Sequence, residues 1–150
     1  MTASLSAVAR HLNFVRETGG PNRGAWVSMF QRFSGGQDGE AWCSDFVSFV
    51  EDIAYWGRSP LRRTGSSDAK LNDARYKGFI VAAPKVDDLY FFITDAGHAH
   101  HVGIVTAVSP LAGIAGNTSP DGTSPEGTGV FEHALTVDPK HVVFVRLPLA

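Results

Sequence analysis

The chain has one cysteine, Cys43, in 150 residues. It stands where a glycine-rich approach, Gly35-Gly36-Gln37-Asp38-Gly39, gives way to a helical apolar pattern. That places the thiol in the first turn of a helix, where unpaired amide groups and the positive dipole end favour an anion. The thiolate is the nucleophilic form of cysteine, so the position suits acyl transfer. Such a nucleophile needs a base within reach and a group that orients the base. His101 is the candidate base, because it opens His101-Val-Gly-Ile-Val105, a strand whose Gly103 leaves room for close approach. Asn117 ends the apolar run Ile114-Ala-Gly-Asn117. Its carboxamide can accept from one imidazole nitrogen and turn the other toward sulfur.

Each of these residues has a plainer reading. A lone cysteine packs well in a core, and an asparagine often ends a strand. His98, His100 and His101, with His133 further on, raise the rival of a metal hydrolase. In an extended segment, however, His98 and His100 point one way and His101 the other. No carboxylate or cysteine stands at ligand spacing among them, so neither a metal nor a cofactor is expected. The tandem Thr118-Ser-Pro-Asp-Gly122 and Thr123-Ser-Pro-Glu-Gly127 reads as two turns of a surface loop. The functional alternative is a loop that lines a substrate groove.

The elements that must position these groups change character midway. Leu5, Val8, Leu12 and Val15 recur at helical spacing until Thr18-Gly19-Gly20-Pro21. Trp26, Met29, Phe30 and Phe33 mark a second helix, and Ala41 to Trp56 a third that is apolar on most sides. Ser67-Asp68 followed by Leu71, Ala74 and Tyr76 suggests a fourth, capped by a serine and ended by Gly78. Strands follow at Asp88–Ile93, His101–Val108, Gly113–Asn117, Gly129–His133 and His141–Leu147. Helices first and adjacent strands afterwards predict an α+β fold, N-terminal helices packed on an antiparallel sheet, in a single domain over residues 1–150.

Thirteen cations against fifteen anions give a net charge of -2, which argues against a nucleic-acid binder. A single cysteine excludes an internal disulfide framework. The stretch from Met1 to Arg16 is interrupted by Arg10, His11 and Arg16 and lacks the apolar block of a secretory signal. Ala96 to Pro120, the longest uncharged stretch, is broken by Gly and Pro, so no membrane span is expected.

Read in order, these segments resemble the CHAP domain, a branch of the papain-like NlpC/P60 group of cell-wall amidases and peptidases. The resemblance rests on Glu40-Ala-Trp-Cys-Ser-Asp-Phe-Val47, Pro84-Lys-Val-Asp-Asp-Leu-Tyr-Phe-Phe92, His101-Val-Gly-Ile-Val105, and Gly116-Asn-Thr-Ser119 followed by Gly129-Val-Phe131. It covers about Gly35 to Leu147. It implies a papain-like fold with Cys43 as nucleophile, His101 as general base and acid, and Asn117 as the orienting residue. Many members carry a Glu two residues before that Asn, where this chain has Ala115. Gln37, six residues before the cysteine, has the spacing of a papain-like oxyanion donor. Asp38 and Asp45 alone do not reproduce the calcium cluster of some members.

The activity implied is a peptidoglycan hydrolase that cuts an N-acetylmuramoyl–L-alanine bond or a stem or cross-bridge amide. A phage lysin or a secreted antibacterial effector would fit. Such a protein would be made in the cytoplasm without a Sec signal and act on the wall or in the periplasm after release. Its partner is peptidoglycan, with an immunity protein or a phage or secretion particle in addition. The rivals are a papain-like enzyme acting on another amide or acyl substrate and a non-enzymatic wall-binding module. Arg58 to Lys85 holds seven of the thirteen cations and two acids, a segment that could attract an anionic polymer or simply be solvated.

Overall fold

The computed structural model describes residues 3–124 and 126–149. Four helices precede a sheet of six strands. α1 (Leu5–His11) starts where the Ser4 side chain accepts from the Ala7 amide. It is shorter than its periodicity predicts. Val15 leaves the helical register because its carbonyl accepts from the Val130 amide, and Glu17 donates to the Thr128 carbonyl. The apolar side chain still packs in the core, on extended rather than helical backbone.

α2 (Ala25–Phe33) and α3 (Cys43–Ala54) follow. Phe46, Val47, Val50 and Ala54 of α3 are wholly buried, as are the polar Ser44, Asp45 and Glu51. The helix is therefore enclosed on most sides, as its composition predicts. Burial of each large apolar side chain contributes roughly 1.5–3 kcal/mol. α4 (Ser67–Tyr76) is capped by Ser66, which accepts from the Ala69 amide. Gly78, at φ 74°, takes the left-handed turn after it.

The strands are β1 (Ile80–Val81), β2 (Leu89–Ile93), β3 (Ala99–Val108), β4 (Leu111–Thr118), β5 (Gly129–Ala134) and β6 (Val142–Val145). Their order across the sheet is β1-β6-β2-β3-β4-β5, and every neighbouring pair is antiparallel. The last strand thus returns to lie between β1 and β2, pairing Val145 with both Ile80 and Leu89. The two-residue β1 has no counterpart in the sequence reading.

One face of the sheet packs on the helices. Leu89, Phe91, Val102, Ile104, Ile114, Val130 and Val145 share a continuous core with residues of all four helices. The opposite face carries a smaller cluster built on Tyr90, Val105, Ala115, Leu135 and Phe144. Among the described residues, no helix is long and apolar enough to cross a membrane.

Candidate active site

Cys43 is the first residue of α3, and the side chain of Trp42 before it fixes where that helix end meets the sheet. A Cβ on Gly116 would lie 2.6 Å from Trp42 and 2.7 Å from Phe46. Only glycine lets the start of α3 come this close to β4. The Trp42 indole is wholly buried, and its Nε1 donates to Glu17 at 2.9 Å.

The thiol meets the sheet at one amide. Val105 exchanges hydrogen bonds with Asp87 and Asp88 on the β2 side. Strand alternation therefore directs the amide of Val102 to the β4 side. Pairing of β3 with β4 ends at Ile104↔Ile114, so β4 does not take up that amide. It points instead at the Cys43 sulfur. The residue immediately before it is His101.

His101 lies on the sheet face away from the helices, paired with Phe92. The two rings stack with centroids 5.7 Å apart and planes 19° from parallel. Three residues beyond Ile104↔Ile114 on each strand stand His101 and Asn117. Asn117 is 2% exposed, has φ 52° and leaves its Oδ1 buried without a partner. The three predicted residues are thus gathered at one end of β3 and β4. Among the described residues, no hydrogen bond joins them.

The electrostatics correct one expectation. Burial is the largest influence on the Cys43 thiol and pushes it up to about 11, against the pull of the Val102, Ser44 and Cys43 amides toward the thiolate. Burial also lowers His101 to about 4, with repulsion from His100 and His133 adding to it. Both groups therefore rest uncharged near neutrality. The helix end favours the thiolate as expected, but loss of solvation outweighs it.

Other expectations fare differently. Gln37 is exposed on the loop before α3. The buried glutamine there is Gln31, whose Nε2 donates to the carbonyls of Asn22 and Glu40 and so braces the chain entering α3. His98 is exposed beside Asp68, while His100, His101 and His133 line one cavity; among the described residues no group of three or more His, Cys, Asp or Glu is placed to hold a metal ion. Asp45 is buried, and burial raises its carboxyl to about 7. Three of the seven cations in the segment are held in ion pairs. Lys70 is wholly buried against Glu51, Arg63 pairs with Asp52, and Lys77 pairs with Asp73.

Two features escaped the sequence reading. Tyr90 is wholly buried with its hydroxyl unpartnered, and its ring stands 6.1 Å from that of His101. Gly103 and Gly113 make room for it, since a Cβ at either would lie 2.3 Å or 2.6 Å from Tyr90. Gly103 does permit a close approach, but the group approaching is this tyrosine. The second feature is a cavity of about 200 Å³ beside His101, walled by Phe92, His100, Thr118, Ser124 and His133. The turn repeat forms part of its wall, and Pro125 of that repeat lies outside the described residues. Compared with known protein families, curated proteins and solved structures, the chain finds no match.

Proposed function

We propose that this protein is a papain-like cysteine amidase or peptidase that hydrolyses an amide of bacterial peptidoglycan. The observation that carries the reading is the meeting of the helix-end thiol with the Val102 amide, one residue from His101. The ordered motifs from Gly35 to Leu147 supply the substrate class. In this mechanism the neutral imidazole of His101 takes the thiol proton as sulfur attacks the carbonyl carbon. The C–N bond then breaks as His101 returns that proton to the leaving amine. Water, deprotonated by His101, cleaves the thioester and regenerates the thiol. Amides at the start of α3 face the developing oxyanion, where one such donor is typically worth about 3–4 kcal/mol. Asn117 supplies, in its buried unpaired Oδ1, an acceptor for the imidazole once the ring takes up the proton.

The test is digestion of purified peptidoglycan with the wild-type protein and with Cys43→Ala, followed by mass analysis of the products. Cys43→Ala abolishes release while the fold, followed by circular dichroism, stays intact. Wall cleavage that persists in Cys43→Ala would overturn the nucleophile assignment. Thiol-dependent hydrolysis of an ester or protein amide, with peptidoglycan untouched, would move the protein to another acyl substrate.

A further inference from the structure

The pairing at His101 departs from a regular ladder. Phe92 of β2 stands opposite His101, yet the next residue, Ile93, stands opposite Ala99. One step along β2 thus spans two along β3, and His100 is the extra residue of a β-bulge. The alternation expected of an extended segment breaks there, so His100 and His101 border the same cavity together with Phe92. The Phe92 ring lies 5.7 Å from that of His101 with planes 19° apart, and 6.5 Å from that of His100 with planes 32° apart.

A histidine ring turns about a broad, roughly two-fold torsion, so the strand alone does not set its plane. Here a flat contact does. His101 is buried, and the half-buried Phe92 lies nearly parallel to its ring. Tyr90, the other aromatic ring beside it, is 6.1 Å away and tilted by 46°, so it bounds the imidazole without lying flat on it. An aromatic face packs on a neutral imidazole by offset stacking and attracts an imidazolium through its quadrupole. One contact therefore serves the ring before and after it takes up a proton. An aliphatic side chain of similar volume would do neither.

We infer that Phe92 is the positioning residue for His101: its ring, set opposite by the bulged pairing, fixes the plane in which the imidazole takes and returns a proton. This rests on the reading of His101 as general base given above. Phe92 acts through His101 and contributes no reacting group of its own.

The experiment compares the wild type with Phe92→Leu, which keeps an apolar side chain without the flat ring, and Phe92→Tyr, which restores the ring. Phe92 borders two adjoining cavities, so it is not enclosed on every side and a tyrosine can be taken in its place. Circular dichroism checks that each variant is folded. Ring carbon relaxation by NMR reads the hold on His101 directly: the imidazole is ordered in the wild type and in Phe92→Tyr, and gains motion in Phe92→Leu. Turnover of soluble peptidoglycan fragments reads its use. In Phe92→Leu kcat falls about tenfold while KM stays within about twofold, and Phe92→Tyr recovers the loss. An imidazole equally ordered in Phe92→Leu overturns the inference whatever the kinetics. A wild-type kcat in Phe92→Leu, or a loss that Phe92→Tyr does not recover, also overturns it and leaves the hydrolase standing. No hydrolysis by the wild type, with the NMR pattern as expected, overturns the hydrolase and leaves Phe92 as the group that holds the ring.

Discussion

The two faces of the sheet are built for different ends. Toward the helices, Leu89, Phe91, Val102, Ile104 and Ile114 form an unbroken apolar surface. On the other face the same strands present Tyr90, Phe92, His101 and Asn117 among small residues, Gly103, Gly113 and Ala115. One face is filled by shape. The other buries the Tyr90 hydroxyl and the Asn117 Oδ1 without hydrogen bonds, which costs stability. The period of two that puts His101 opposite Val102 in direction lets one strand do both, because the core reads one alternation and the candidate site the other.

The largest effect expected lies on the helix side. Lys70 and Glu51 are 3.1 Å apart and buried to within 1% of full enclosure. Glu51 also accepts from Ser59, and Lys70 donates to the Arg62 carbonyl. Lys70→Ala leaves a buried carboxylate without its partner and should cost about 3–5 kcal/mol. Urea unfolding of the variant measures the loss. A change below about 1 kcal/mol would show that solvent reaches the pair, and the helix side would no longer be the fully enclosed half of the comparison.

A smaller effect, of opposite character, belongs to His101. Its ring is held near 4 against an ordinary 6.5. The folded protein keeps the imidazole neutral while the unfolded chain takes up a proton. Stability is therefore intact above about pH 6.5 and is lost as pH falls through that value toward 4, by about 3 kcal/mol in all. Because the buried Asp45 carboxyl, raised to about 7, gains stability over the same range in both proteins, the readout is the difference: denaturant unfolding at intervals should show the wild type losing about 3 kcal/mol relative to His101→Gln as pH falls from about 6.5 to 4. An unchanged slope in His101→Gln would assign the acid sensitivity to another group. Lys70→Ala, by contrast, should lower stability while keeping the slope.

What the sequence disclosed follows from the range of the interactions involved. The helices and five of the strands were legible because period and capping are local: Ser66 and Gly78 bound α4 as their residue types predict. The end of α1 was not, since a distant strand, through Val130, takes the backbone of Val15 out of the helix. The place of β6 between β1 and β2 depends on a pairing across more than fifty residues and leaves no local mark. In the candidate site, residue types were legible and their ionisation was not. A helix-end thiol reads as activated, yet burial decides its charge, and burial is a property of the finished packing. Lys70 fails for the same reason: on α4 it reads as a solvated cation, and only tertiary contact with Glu51 explains its burial.

The smallest effect tests the polar face most directly. The Tyr90 hydroxyl is buried without a hydrogen bond in a notch that two glycines provide. Removing a group that has lost its water and gained no partner relieves a penalty, while the small void left behind offsets part of the gain. Tyr90→Phe should leave stability unchanged or raise it by about 1 kcal/mol, as read from the urea midpoint at constant slope. The same change on the helix face, a buried hydroxyl with its bond made, lowers stability instead: Ser44 donates to the Thr64 carbonyl at 2.7 Å, and Ser44→Ala should cost about 1 kcal/mol. The pair of variants therefore moves in opposite directions if the two faces differ as described. A loss of about 1 kcal/mol in both would mean that the tyrosine has a partner in solution, and the polar face would be held together as fully as the apolar one.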